Sequence, residues 1–152
     1  MEIKIDTREK KISGILRSFD RHGVKYCMEK LDEGDYMNID NPKLVIERKR
    51  NLQELYQNLC QGKNRFYREL ERAKVKGVKV VLLCEHGGQI KCLDDVSNWK
   101  NPREEKNPYA WNGPKLRKEL MICAGTFDVD LQFCDKRTTG RRIIEILSGV
   151  RV

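Results

Sequence analysis

Ile12, Ile15, Leu16 and Phe19 recur at i, i+3, i+4 and i+7, the apolar stripe of an amphipathic helix that His22-Gly23 closes. Met1 to Ile5 reads as a short strand before it. Val24, Tyr26 and Met28 then alternate with polar neighbours as a half-buried strand does. Tyr36 to Ile39 and Lys43 to Lys49 give two more strands around the turn-forming Asp40-Asn41-Pro42, so the three are expected to form a small meander. Leu52, Leu55, Tyr56 and Leu59 restore the helical spacing, Gly62 interrupts it, and Phe66, Leu70 and Ala73 resume it until Gly77. Val78 to Cys84 is an almost unbroken apolar run, which predicts a strand covered on both faces.

The first 85 or so residues therefore predict strand, helix, three strands, helix and strand. Residues 86–112 lose periodicity around Gly87-Gly88, Trp99, Pro102, Pro108 and Trp111, and no element is assigned there. A helix from about Pro114 to Ala124, a strand from Val129 to Cys134 and a helix from Thr139 to Ser148 follow. No internal repeat or low-complexity tract interrupts the order.

A chain of 152 residues is long enough for one hydrophobic core, so a single domain over 1–152 is expected, with a core at about 1–85 and an extension at about 113–152. Charged residues make up 36% and hydrophobic ones 39%, and the apolar segments are too regular for a disordered tail. Lysine and arginine outnumber the acids 31 to 23, a formal charge of +8. That excess suits a polyanionic partner without separating DNA from RNA or an anionic membrane. The first residues lack an apolar signal region, and no window approaches the roughly 18 apolar residues of a membrane span. A cytoplasmic protein is expected. The six cysteines form no Cys-x-x-Cys pair, so reduced thiols are expected rather than a zinc site.

Chemistry concentrates at Glu47-Arg48-Lys49, which ends the apolar run Leu44-Val45-Ile46. Alternation along a strand places Glu47 and Lys49 on one face and Arg48 on the other. One strand thus offers a carboxylate for a hard divalent cation and an ammonium for phosphate charge. A charged triplet alone is common in so charged a chain, and a solvated strand end is its plain alternative. Gly34-Asp35-Tyr36 one hairpin earlier and the helix immediately afterwards weigh against that alternative.

Ile5-Asp6-Thr7-Arg8-Glu9, Gly34-Asp35-Tyr36 and Val45-Ile46-Glu47-Arg48-Lys49, in this order, resemble the three blocks of the XPF-type (xeroderma pigmentosum group F) nuclease domain of the PD-(D/E)XK superfamily. Cys84-Glu85-His86-Gly87 and the tail from Phe133 to Ile144 resemble compact single-domain bacterial or phage members. The resemblance implies an α/β, restriction-endonuclease-like αβββαβ core, a mixed central sheet flanked by helices, with a C-terminal helix-strand-helix extension. It implies a Mg2+-dependent DNA endonuclease, with Mn2+ able to substitute, acting on branched or flapped DNA in repair, recombination or phage replication. Asp35 and Glu47 would bind the metal and Lys49 would act near the attacked phosphate, with Asp6, Arg8 and Glu9 completing the lining. For Asp6 and Glu9 the alternative is the favourable position of a carboxylate at a helix N-terminus. Arg8 and Arg48 could either brace the loop or grip phosphate.

One departure is visible: many members continue Glu-Arg-Lys-x-x-x-Asp, whereas this chain has Gln53 at the acidic position. The tandem helix-hairpin-helix module of many relatives has no counterpart here, so substrate preference does not transfer. DNA contact is assigned to Lys63, Arg65, Arg68 and Arg72, with Lys10 and Lys11, against the alternative of a soluble basic face. Trp99, Tyr109 and Trp111 could stack on an unpaired base, burial being their plainer role, and His86 reads as a turn or packing residue. Rival readings are a catalytically silent DNA-binding or partner-binding module, a Holliday-junction resolvase and a nuclease acting on RNA. A homodimer is expected from family habit alone.

Overall fold

Strand β1 (Glu2–Ile5) leads through helix α1 (Ser13–Arg21) to β2 (Lys25–Met28), which pairs parallel with β1. This is a computed structural model, and it describes residues 1–152. Strands β3 (Tyr36–Asn38) and β4 (Asn41–Lys49) form an antiparallel hairpin, and β3 also pairs antiparallel with β1. Helices α2 (Leu52–Cys60) and α3 (Lys63–Val75) carry the chain to β5 (Lys79–Cys84), parallel to β4. Helix α4 (Gly113–Phe127), strand β6 (Asp130–Phe133), parallel to β5, and helix α5 (Thr139–Ser148) complete the chain. The six strands make one mixed sheet in the order β2-β1-β3-β4-β5-β6.

The expected meander is corrected at β2. That strand lies at the edge beside β1, and only β3 and β4 are hairpin partners. The alternation of Val24, Tyr26 and Met28 reports a half-buried strand but not its neighbour. Helix α1 supplies the crossover that two consecutive parallel strands require.

Each face of the sheet carries its own core. On one face Val45, Val80, Leu82 and Cys84 pack under α2, α3 and α4. On the other Ile3, Ile5, Tyr36, Ile46, Val81 and Leu83 pack under α1 and α5. Strand β5 contributes alternate residues to both, which explains its continuous apolar sequence. Glu47 and Lys49 share the parity of Val45 and so face the α2/α3 layer; Arg48 faces the α1/α5 layer with Ile46.

The irregular stretch is anchored to the larger core by Ile90, Val96 and Trp99, around two short 3-10 turns at Leu93–Asn98 and Pro102–Glu105. Trp99 and Trp111 flank the Tyr56 ring at centroid distances of 6.4 and 5.6 Å. The buried Asn101 donates to the Trp111 carbonyl at 2.7 Å and accepts from the Arg103 amide at 3.0 Å. All six cysteines are free thiols. No helix is long and apolar enough to cross a membrane.

Candidate active site

Where β1 and β4 end and β3 begins, the residues at these strand ends bring the acids to one place. The Asp35 amide donates to the Ile46 carbonyl at 2.7 Å, and the Asp6 amide donates to the Asp35 carbonyl at 2.9 Å, so Asp35 sits between β1 and β4. Tyr36 is buried on the α1/α5 side, and alternation turns Asp35 to the same side as Glu47. Gly34 makes this approach possible. Its φ is +73°, and a Cβ there would lie 2.8 Å from the Val45 Cβ.

Asp35, Glu47 and Glu9 line one cavity of about 250 Å³ with Arg8, Arg72 and Glu69. Lys49 reaches the neighbouring depression on the far side of Glu47, together with Asn58, Arg65 and Glu69. Its Nζ lies 3.6 Å from Glu47 Oε1 and 5.1 Å from the centre of the Phe66 ring, and the side chain is only 9% exposed. Acids therefore crowd the cavity, and the buried Lys49 ammonium stands against Glu47 at its edge. No three acids, histidines or cysteines are gathered closely enough to hold a metal by protein atoms alone.

The crowding shows in the titration of the pair. Burial first, then the charges of Glu47 and Glu9, push the Asp35 carboxyl up to about 8, despite the Arg48 amide that donates to its Oδ2 at 2.8 Å. Burial also raises Glu47; Lys49 opposes the shift, and Glu69 and Glu9 add to it. Two acids that resist ionisation side by side are where a divalent cation gives most electrostatic relief. The donor set therefore fits a hard metal ion held by Asp35 and Glu47.

The other predicted residues separate by position. Arg8, with a side chain 71% exposed, stands at the rim and pairs with Asp6 at 2.8 Å. Asp6 itself is turned inward. Its Oδ1 accepts from the Leu31 amide at 2.8 Å and its Oδ2 from the Arg8 amide at 3.2 Å, and the residue is 1% exposed. Burial alone would raise its carboxyl, but the hydrogen bonds from Arg8 and Leu31 hold it below the usual range. Asp6 also lines the cavity, and its oxygens brace the loop through these bonds. Glu9 lines the cavity while its Oε2 accepts from the Tyr36 hydroxyl at 2.6 Å and from Arg48 at 3.1 Å.

Of the two roles expected for Arg48, its hydrogen bonds show the bracing one. Its Nε donates to Glu85 at 2.6 Å, and its terminal nitrogens donate to Glu9 and to the carbonyls of Lys10 and Lys11. Glu85, 2% exposed, also accepts from the Thr139 hydroxyl, so one buried chain of contacts ties the Glu9 loop to the start of α5. Of the basic residues on α3, Arg72 and Arg65 border the two depressions. Lys63, at the start of the helix, and Arg68, between them, are exposed and border neither, Lys63 lying over the Tyr67 ring.

Glu69 and Glu85 were not foreseen. Glu69 follows the buried Phe66 by three residues, a spacing that places it beside the inward stripe of α3. Glu85, directly after the apolar run, could have been noticed as an acid at the end of a doubly covered strand. Gln53 does not line the carboxylate cavity; it faces the turn at Pro102–Glu105. His86 accepts from the Leu52 amide through Nδ1 at 3.1 Å, and burial lowers its pKa, which fits a neutral ring at the start of α2.

A profile of the ERCC4 domain matches residues 5–146. Among solved structures the chain is similar to XPF from Aeropyrum pernix, with a TM-score of 0.69 and 19% identity over 97% of this chain and 63% of that one. It is also similar to XPF from Aeropyrum pernix in complex with DNA, with a TM-score of 0.68, 18% identity and the same coverage. At this identity the likeness establishes the fold, and the chain spans 63% of the length of those proteins. No curated protein sequence matches it.

Proposed function

Because the chain belongs to the ERCC4 domain family of XPF-type nuclease domains, we propose that it is a metal-dependent endonuclease that hydrolyses phosphodiester bonds in DNA. The observation that carries this reading is the shared site of Asp35, Glu47 and Lys49: two mutually strained carboxylates and a buried ammonium on adjoining strands. The DNA complex of the structural neighbour and the excess of 31 basic over 23 acidic residues support DNA as the polyanion. Branched or flapped DNA is the proposed substrate.

Asp35 and Glu47 would hold Mg2+, or Mn2+ in its place, and the ion when bound would supply a water of lowered pKa. Lys49 is fixed by Glu47 and Phe66 in the adjoining depression, where its charge can meet the phosphoryl oxygens as negative charge develops on them. Arg8 at the rim can orient an incoming phosphate. Glu9, restrained by Tyr36 and Arg48, keeps the acid side of the cavity in place.

The test is cleavage of end-labelled duplex, flapped and branched DNA by the purified chain. Cleavage with Mg2+ or Mn2+, none in chelator and none by Glu47→Ala is the expected result. Cleavage of no substrate above the Glu47→Ala control would overturn the proposal.

A further inference from the structure

The largest of the main concavities lies away from the carboxylates, between α2 and the turn at Pro102–Glu105, with a volume of about 450 Å³. Gln53, Tyr56, Arg103 and Lys106 line it. It connects with the candidate active site through shared walls. Arg8 and Glu9 border both the carboxylate cavity and a hollow that contains Lys10, Arg50 and Glu54. Arg50 and Glu54 in turn border the next hollow with Gln53, and Gln53 borders the large one. Adjoining hollows that share lining residues thus form a track from Glu47 past Arg8, Arg50 and Gln53 to Arg103 and Lys106.

The charge along this track suits an anion. Arg103 and Lys106 enter no ion pair, and the acids beside them in sequence, Glu104 and Glu105, do not line the hollow. Glu54 is occupied at the start of α2, where its Oε1 accepts from the Arg50 amide at 2.8 Å. Gln53 stands where the family pattern has an acid, so an amide replaces a carboxylate on the wall opposite Arg103 and Lys106.

Two residues beyond Asn107, which lines the large hollow, Tyr109 is 89% exposed, the most open large aromatic side chain in the molecule. Its backbone is nevertheless firmly held: its amide donates to Asn107 Oδ1 at 2.9 Å, while buried Asn101 and the Trp99-Tyr56-Trp111 cluster fix the segment on either side. An exposed ring on a braced loop next to unpaired basic side chains has the features of a stacking platform for nucleic acid.

We propose that this track is a binding site for unpaired DNA strand leading to or from the cleaved phosphate, with backbone phosphates on Arg50, Arg103 and Lys106 and a base stacked on Tyr109. Duplex DNA is a poorer occupant because its base faces are already covered by their neighbours. The inference deepens the nuclease reading and rests on it for the direction of the strand, but binding can be measured without cleavage.

The experiment uses fluorescence anisotropy of the full chain in chelator with labelled single-stranded DNA, blunt duplex, and duplex carrying a single-stranded tail. Tyr109→Ala should weaken binding of single-stranded and tailed DNA by roughly 5- to 100-fold, with little change for blunt duplex, and Tyr109→Phe should restore it. Removing Arg103 and Lys106 together should flatten the salt dependence on single-stranded DNA by about 0.7 per lost phosphate contact. Gln53→Asp should weaken the same complexes. An unchanged affinity in Tyr109→Ala, an equal loss on blunt duplex, or equal competition by single-stranded RNA would overturn the assignment. Tyr109-dependent binding in a chain that never cleaves would retain this site and reject the nuclease reading; cleavage with Tyr109→Ala binding normally would do the reverse.

Discussion

Asp35→Asn should make the metal-free protein progressively more stable than the wild type as pH rises. The Asp35 carboxyl titrates at about 8 in the folded protein because of burial and the charges of Glu47 and Glu9, against about 3.9 in an unfolded chain. Between those values the folded state holds a proton that the unfolded state has released. Stability therefore falls as pH rises through the window, by at most about 1.4 kcal/mol per pH unit for one proton. Solvent reaches part of Asp35, so from pH 5 to 7 the net effect should be about 1–2.5 kcal/mol, or about 2–10 °C in Tm for a chain of this size. Asparagine keeps an acceptor for the Arg48 amide that donates to Asp35 at 2.8 Å, so the substitution removes the charge with little change of shape. Thermal melts of both proteins in chelator, at half-unit pH intervals from 5 to 8, provide the comparison. A difference in Tm that stays constant with pH, or shrinks as pH rises, would refute the argument.

Other substitutions separate chemistry from architecture. Lys49→Met should lower single-turnover cleavage by about 10²- to 10³-fold at saturating metal, since it removes the ammonium 3.6 Å from Glu47 that can meet phosphoryl charge; cleavage assays on the flapped substrate check this. Glu85→Ala leaves the guanidinium of Arg48 and the Thr139 hydroxyl without their shared buried acceptor, and urea unfolding should show a loss of about 3–5 kcal/mol. Gly113→Ala would place a Cβ 2.6, 2.7 and 2.8 Å from the carbonyl oxygens of Val96, Ser97 and Trp99, and should destabilise by about 1–3 kcal/mol in the same measurement.

Sequence periodicity located most of the elements because burial here follows the secondary-structure period. Val78 to Cys84 is apolar throughout because helices cover both of its faces, and Glu47 and Lys49 share a face because a strand repeats every two residues. Helix α4 runs to Phe127, beyond the expected Ala124, because its last turn is closed by Asp128 in the left-handed region rather than by a glycine. What periodicity does not carry is pairing across the sheet. The neighbour of β2 depends on the crossover made by α1, and the role of Arg48 depends on Glu85, 37 residues away. Residues 86–112 resisted assignment because they fold as short 3-10 turns held by single side chains such as Val96, Trp99 and Asn101. The site's central residues were legible because β3 and β4 place Asp35 and Glu47 side by side through local hairpin geometry. Glu69 was harder to read because it arrives from a different element.

The claim that Asp35 and Glu47 form a divalent-metal centre is tested most directly by calorimetric titration of Mn2+ at pH 7 in buffers of different ionisation enthalpy. A carboxyl that titrates at about 8 is mostly protonated at that pH, so Mn2+ should bind the wild type with release of about one proton, and neither binding nor release should survive in Asp35→Asn or Glu47→Gln. Binding that is absent from the wild type, or that persists unchanged in both variants, would contradict the account.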